Sequence, residues 1–271
     1  MANSRLSDQD LDFVIQEAVP EFSDKAKLRQ LIREDEAFRK ALLGDDRVFR
    51  KVMADDEVIL RISPALYFEV LLRRTLKELE KAGHTIERTA TQAIPVFDVK
   101  RVVDLLAKQV VLDYLADMLS SLTRINSYVI PVRVRKGIWR KIRFNDMDVD
   151  SLSRLCETAS EEERFSLYKR IGDVCLFILG IFPEYVQDDY RYPSSGEKRP
   201  KLPMRLKRSL EDYEEEGVKF YKLAAQHPSA RILGLSEVLW LLHENLATAK
   251  KPLNFISEHY LHYKKRQLFD I

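Results

Sequence analysis

The segment IGDVCLFILGIFPEY, residues 171–185, decides the fold, because nine consecutive uncharged residues lie inside a longer helical pattern. Such a block, preceded by charged residues, is typical of a helix at the centre of a helical core. Gly172 and Gly180 would let neighbouring helices approach closely, and Pro183 would stop the helix, since proline disfavours helical geometry at the residue before it. We therefore predict a core helix over 164–182 and not a part of an active site.

Two further long helices are predicted to be central. The segment 62–83 has Ser63 as an N-cap and Pro64 at the first helical position, followed by good helix formers up to Gly83. The segment 97–122 repeats apolar residues at steps of three and four. After a Pro-rich surface loop at 188–203, the periodicity predicts three more helices, near 205–226, 231–249 and 253–265.

One segment departs from the helical pattern. YVIPVRVRKGIWRKIRFND, residues 128–146, has two apolar runs with Arg-Lys-Gly between them, which predicts a β-hairpin around Gly137. Pro131 lacks an N–H and would have to lie on an edge or at a strand start. We therefore expect an all-α multi-helix bundle with one small β-hairpin near 128–144.

The first sixty residues contain three short helical pieces, each of which opens with an aspartate, at Asp35, Asp45 and Asp55. An aspartate at this position caps free N–H groups at the start of a helix. We expect residues 1–60 to form a peripheral wrap of short helices on a single helical domain, 1–271.

Composition excludes several classes of protein. The chain is 45% hydrophobic and 32% charged with a formal net charge of +2, so the total charge predicts neither nucleic acid nor an anionic membrane as a partner. Cys156 and Cys175 have no metal-binding spacing. No signal-peptide pattern and no run of about 18 apolar residues occurs. We expect a cytoplasmic protein with no membrane partner; the sequence leaves its oligomeric state unknown.

Three widely spaced segments resemble a group of uncharacterised helical prokaryotic proteins: ISPALYFEVLLRRTL at 62–76, GDVCLFILGIFPEY at 172–185 and DYEEEGVKFYKLAA at 212–225. The resemblance covers roughly residues 60–270. It implies a helical fold, and it carries no known activity and no site residues.

Charged residues inside apolar stretches are candidates for a site. Glu69 and Arg73 are four residues apart on the helix over 62–83, the spacing of an intrahelical ion pair, and Asp173 precedes the uncharged block. A buried charge must be paired or strongly perturbed. These three residues are therefore either members of structural ion pairs, which we favour, or the polar lining of an interior pocket.

The closest match to a metal-binding pattern is DMDVDSLSRLCE. Asp146, Asp148, Asp150 and Glu157 fall at positions 1, 3, 5 and 12 of a calcium loop, but Ser151 replaces the glycine that makes its sharp turn. We expect Asp150 or Ser151 to cap the next helix and the other acids to face solvent. His243 is predicted to be a surface or boundary residue, as are His259 and His262, which are three residues apart on one predicted helix. No phosphate-loop, nucleophile-elbow or zinc motif occurs, and we predict no metal and no cofactor.

Two basic clusters remain. The first, in the predicted hairpin, consists of Arg133, Arg135, Lys136, Arg140, Lys141 and Arg143 around Trp139, and the second is the basic run 198–208. A basic hairpin with an exposed aromatic residue could bind phosphates and stack on bases. Alternatively, the charges could be a solvated edge that prevents aggregation, with the acids at 146–163 neutralising them.

These patterns leave three hypotheses for function. The first is a protein that acts by binding an unknown protein or small-molecule partner. The second, not favoured by the sequence, is a nucleic-acid-binding protein that uses the hairpin 128–144 and the basic run 198–208. The third is an enzyme with an interior pocket lined by Glu69, Arg73 and Asp173.

Overall fold

The computed structural model describes residues 6–55, 57–88, 93–188, 208–262 and 264–269. The chain divides into two compact units, Met1–Ser121 and Leu122–Ile271, and each is described by itself. The described residues are predominantly α-helical with short antiparallel strand pairs, which confirms the predicted fold class. The expectation of one domain with a peripheral segment 1–60 stays a prediction.

The first unit consists of seven α-helices and one strand pair in the described residues, and the last residue of its final helix belongs to the second unit. The elements are α1 (Asp8–Ala18), α2 (Lys25–Glu34), α3 (Glu36–Leu43), α4 (Asp46–Ala54), α5 (Pro64–Leu79), β1 (Thr85–Arg88), β2 (Ala93–Val96), α6 (Val99–Leu106) and α7 (Gln109–Leu122).

Aspartate caps begin two of the three short helices predicted from the first sixty residues. The Asp35 side chain accepts the N–H of Phe38 at the start of α3, and Asp45 accepts that of Arg47 at the start of α4. Asp55 begins no α-helix. It ends α4 instead, and a short 3-10 turn, Val58–Leu60, connects α4 to α5.

Helix α5 starts as predicted, with Ser63 as its N-cap and Pro64 in the first position. Asp10 of α1 accepts the N–H of Ser63 at 2.7 Å, so a buried carboxylate holds the start of α5 against α1. The helix is buried on nearly all sides, as predicted for a central helix.

The long helix predicted over 97–122 is two helices, α6 and α7, separated at Ala107 and Lys108. The break places Gln109, at the start of α7, 3.4 Å from the guanidinium of Arg73. The structure also has a strand pair that the sequence pattern did not predict: β1 and β2 pair from Thr85 opposite Val96 to Arg88 opposite Ala93.

The second unit contains a hairpin and six α-helices in its described residues. The elements are β3 (Ser127–Arg135), β4 (Ile138–Asn145), α8 (Val149–Thr158), α9 (Glu161–Ile181), α10 (Leu210–Gln226), α11 (Pro228–Ile232), α12 (Ser236–His259) and α13 (Lys265–Phe269). Its core is formed by α9, α10 and α12, which pack against one another. The loop predicted at 188–203 lies outside the described residues, apart from Asp188 at the end of a 3-10 turn.

Helix α9 is the core helix predicted from residues 164–182. It begins earlier, at Glu161, because Ser160 and Glu163 form a capping box, and it ends at Ile181, just before Pro183. A Cβ added at Gly172 would lie 2.9 Å from the Tyr221 ring of α10, so the glycine permits a close helix approach.

Helix α12 replaces two predicted helices. It continues through Pro252, and its backbone departs from helical geometry at Asn245, whose side chain donates to the carbonyl of Leu241 at 2.9 Å. The C-terminal carbonyls of α9 are satisfied from α12: Asn254 donates to two of them and Ser257 to a third, at 2.8 to 2.9 Å. These bonds compensate for carbonyls that have no partner within their own helix.

Candidate nucleic-acid interface

The predicted hairpin is present as β3 and β4, which together with their turn are called the basic hairpin here, residues 127–145. The strands pair from Ser127 opposite Asn145 to Arg135 opposite Ile138, with an irregularity between Arg133 and Arg135. Gly137 has a φ of 81°, the left-handed conformation that glycine adopts without strain in a tight turn. In a two-stranded sheet both strands are edges, which accommodates Pro131 within β3.

One face of the basic hairpin combines apolar residues with cations. The pairs Val129–Arg143, Pro131–Lys141 and Arg133–Trp139 occupy alternate register positions, and alternate positions along a strand share one face. Each of these pairs joins an apolar or aromatic residue to a basic one. We call this set of three pairs the hairpin face.

The described side chains of the hairpin face are all exposed. Val129 is 53% exposed and Trp139 is 63% exposed, and Lys141 is also exposed. At the turn, Lys136 and Ile138 are exposed as well. Of the predicted nucleic-acid residues, the structure therefore places Lys136 and Trp139 in solvent. The side chains of Arg133, Arg135, Arg140 and Arg143 lie outside the described part of the structure.

Positive charge is concentrated in the basic hairpin. Residues 122–271 contain 26 Lys and Arg against 21 Asp and Glu, and six of those cations lie between Ser127 and Asn145, where there is no acidic residue. The rest of this unit is therefore close to neutral. A segment whose charges all have one sign creates a local electrostatic potential that attracts anionic partners.

The second basic cluster is less informative. Residues 198–207 of the basic run lie outside the described residues. Arg208, which is described, pairs with Asp150, and its guanidinium lies 5.9 Å from the centre of the Tyr213 ring. Burial opposes the charge of Arg208, but Asp150 more than compensates and raises the pKa above its ordinary value. Arg208 thus makes a structural ion pair.

The acids of the calcium-like pattern have partners within the protein. The predicted cap at Asp150 or Ser151 is wrong: Asp148 is the N-cap of α8 and accepts the N–H of Ser151 at 3.0 Å. Asp146 accepts from the guanidinium of Arg170 at 2.6 Å and from the N–H of Asn126 at 3.1 Å. Asp150 pairs with Arg208. In the described residues, no group of three or more His, Cys, Asp or Glu side chains is arranged to hold a metal ion.

Glu69 and Arg73 form the intrahelical pair that the sequence predicted. The buried Glu69 carboxylate accepts from Arg73 at 2.7 Å and from Arg39 of α3 at 2.5 Å. Arg39 also lies 3.7 Å from Asp113 of α7, whose side chain accepts from Gln109. Burial opposes the charge of Arg39, but Glu69 and Asp113 outweigh it and raise the pKa. Sequence spacing found Glu69 and Arg73 but not Arg39, which comes from another helix.

Asp173 belongs to the second unit. It is 1% exposed and accepts from Lys169 at 2.7 Å and from the Tyr221 hydroxyl at 3.0 Å. Lys169 lies four residues before Asp173, so helical spacing could have predicted this pair. Because Glu69 and Arg73 lie in the first unit, the pocket lined by all three residues stays a prediction.

The histidines occupy boundary and surface positions, as predicted. His243 is half-buried, and its Nδ1 lies 2.9 Å from the carbonyl of Val218, whereas His259 and His262 are exposed. The prediction that His259 and His262 share one helix is wrong, because α12 ends at His259.

The cysteines are poor nucleophiles. Cys175 is buried in α9, and burial raises its pKa far above that of a free thiol, while burial raises the pKa of Cys156 to about 11. A thiol reacts as its thiolate, so both are protonated at neutral pH.

No family model, curated protein or solved structure matches the chain. The resemblance to a helical prokaryotic group therefore stays an expectation. No helix in the described parts of the chain has the length and apolar character needed to cross a membrane.

Proposed function

We propose that the protein acts by binding and that the basic hairpin is a nucleic-acid-binding surface. The observation that carries this proposal is the exposure of Trp139, Val129 and Lys141 on the hairpin face, within a segment of six cations and no acid. The backbone of nucleic acid is a dense array of negative charge, and binding it releases counterions for each phosphate that a Lys or Arg neutralises.

The alternative hypothesis, a solvated edge, accounts for the basic residues of the hairpin but not for its exposed apolar residues. Lysine and arginine on an edge strand do prevent association with other strands. Exposed Val129, Ile138 and Trp139 have the opposite effect, because large apolar groups on an open strand edge favour aggregation. A surface that interleaves both kinds of residue is better explained by a partner that offers both negative charge and flat apolar groups.

The enzyme hypothesis receives no comparable support. Carboxylate oxygens of Glu69 and Asp173 accept hydrogen bonds from side chains of their own units, as expected of structural ion pairs. A protein or small-molecule partner stays a prediction. So does a cytoplasmic location.

Fluorescence anisotropy with labelled single- and double-stranded oligonucleotides at physiological salt tests the proposal. We expect submicromolar binding to at least one of them, and at least about tenfold weaker binding when Arg133, Arg135, Arg140 and Arg143 are changed to serine. The matched control changes four exposed lysines of the first unit, Lys25, Lys27, Lys81 and Lys100, to serine, so that both variants lose the same charge. Equal losses in both variants, or no binding by the wild type, would contradict the proposal.

A further inference from the structure

The hairpin face offers more than charge. Its three residue pairs each place a cation opposite Val129, Pro131 or Trp139, and the described members of the face are open to solvent. From Val129 to Arg133 the strand covers about 14 Å, since each residue advances about 3.4 Å. A partner that fills this face must therefore present flat or apolar groups and negative charges side by side over a length of several residues.

We infer that the occupant of the hairpin face is single-stranded nucleic acid, with Trp139 stacking on an unpaired base while the basic positions beside it contact the phosphates. This inference rests on the proposed function. Every base has a flat π-face that can stack on an indole, and the phosphates follow the bases along the strand, so a single strand matches both features of the face.

Duplex nucleic acid matches only one of these features. In a duplex the base faces are stacked inside the helix, and only base edges and phosphates are accessible. Lys136 and Lys141 could still contact its phosphates, but the Trp139 ring would find no base to stack on. We therefore expect duplex binding to be weaker and insensitive to the aromatic ring.

Three other occupants fit the hairpin face less well. A second copy of this hairpin would place six further cations against the first six. Trp139 and Val129 could insert into an anionic membrane. Lys141 lies on the same face, so the insertion would also bring its charge toward the hydrocarbon, which is unfavourable. An acidic peptide offers negative charge but no regular series of flat groups. The last two are outcomes of the test below.

The experiment uses the full chain with Trp240 changed to phenylalanine. The chain has two tryptophans, so Trp139 becomes the only one and its fluorescence reports on the hairpin face. The probes are an oligothymidylate and an abasic oligodeoxynucleotide of the same length, which share phosphates and sugars and differ in the bases. A duplex of the same length, anionic phospholipid vesicles and polyglutamate complete the set.

We expect oligothymidylate to quench Trp139 and to bind about tenfold more tightly than the abasic strand, because base–aromatic stacking is lost in the latter. Changing Trp139 to alanine should remove this difference in affinity, and changing it to phenylalanine should retain most of it; because these variants lack the reporting tryptophan, their affinities are measured by the fluorescence anisotropy of labelled strands. Circular dichroism checks that the variants are folded, which we expect because Trp139 is exposed.

Equal affinity for the oligothymidylate and abasic strands would overturn the inference and leave phosphate binding, and so the proposed function, intact. Tighter binding to the duplex than to the oligothymidylate would also overturn the inference and leave the proposed function intact. Tighter binding to the vesicles or to polyglutamate than to the oligothymidylate would overturn the inference. It would identify an anionic membrane or an acidic peptide, respectively, as the class of partner. Absence of binding to every nucleic acid would instead contradict the proposed function itself.

Discussion

Gly180 of α9 lies directly against Leu253 of α12: a Cβ added to the glycine would be 2.5 Å from the Cβ of Leu253 and 2.8 Å from its Cδ1. No side chain larger than hydrogen fits this contact without a shift of one helix. Two hydrogen-bonding side chains of α12, Asn254 and Ser257, reach the carbonyls of α9 beside it. The close approach and the carbonyl caps thus occur at the same place.

The first prediction concerns this contact. Gly180→Leu should lower the free energy of unfolding by more than about 2 kcal/mol, because overpacking forces α9 and α12 apart. Gly83→Leu is the control, since a Cβ there has no neighbour within 4 Å, and it should stay within about 0.5 kcal/mol of the wild type. Denaturant unfolding followed by far-UV circular dichroism measures both. Similar effects of the two changes would show that the helices do not pack as described.

The second prediction concerns the buried ion pairs of the first unit. Glu69→Gln should destabilise the protein by about 3–5 kcal/mol, because Arg39 and Arg73 lose the carboxylate that both contact. In the Glu69→Gln variant, Arg73→Met should lower the free energy of unfolding by less than it does in the wild type. The reason is that it removes a cation that has already lost its carboxylate partner.

A double-mutant cycle for these two residues, measured by denaturant unfolding, gives their coupling energy. We expect about 1–3 kcal/mol. Additive effects of the two changes would contradict a structural ion pair and would favour a polar site that tolerates each change separately.

The third prediction concerns Cys175. Its pKa in the folded protein is raised by burial, so the folded state keeps the thiol protonated while an unfolded chain ionises it above about pH 8.5. The stability of the wild type should therefore fall as pH rises above about 8.5, by up to about 1.4 kcal/mol per pH unit, relative to Cys175→Ala. Parallel pH profiles of the two proteins would contradict this.

The fourth prediction concerns the acids of the calcium-like pattern. Asp146→Asn should destabilise the protein by about 1–3 kcal/mol through loss of its bond to Arg170, to the same extent with chelator and with millimolar calcium. Glu157→Gln is the informative control, because Glu157 is exposed and would be the bidentate ligand of a calcium loop. Thermal unfolding measures both variants. Stabilisation by calcium that is lost in Glu157→Gln would contradict the assignment of these acids to a helix cap and to ion pairs.

Sequence patterns predicted the parts of the fold that depend on local interactions. The Ser63 cap, the glycines of α9 and the turn at Gly137 each follow from conformational preferences of a few adjacent residues. The break at Ala107 and the continuation of α12 through Pro252 did not follow, because packing partners distant in the sequence decide them.

The candidate site was predictable in composition but not in arrangement. The sequence indicated a basic hairpin with Trp139, but only the strand register showed that Val129, Lys141 and Trp139 share one face. Likewise, the spacing of Glu69 and Arg73 predicted their pairing, whereas the contribution of Arg39 depends on how α3 packs on α5. Spacing along one element predicts neighbours within that element only.

The most direct test of the central claim is the salt dependence of oligothymidylate binding. The logarithm of the binding constant should fall linearly with the logarithm of the salt concentration, with a slope of about −0.7 for each phosphate neutralised on a single strand. Changing Lys136 and Lys141 to glutamine should make the slope shallower by about one unit or more, while the control Lys25→Gln, Lys27→Gln leaves it unchanged. Affinity that does not depend on salt, or a slope that is the same in both variants, would contradict a phosphate-binding hairpin.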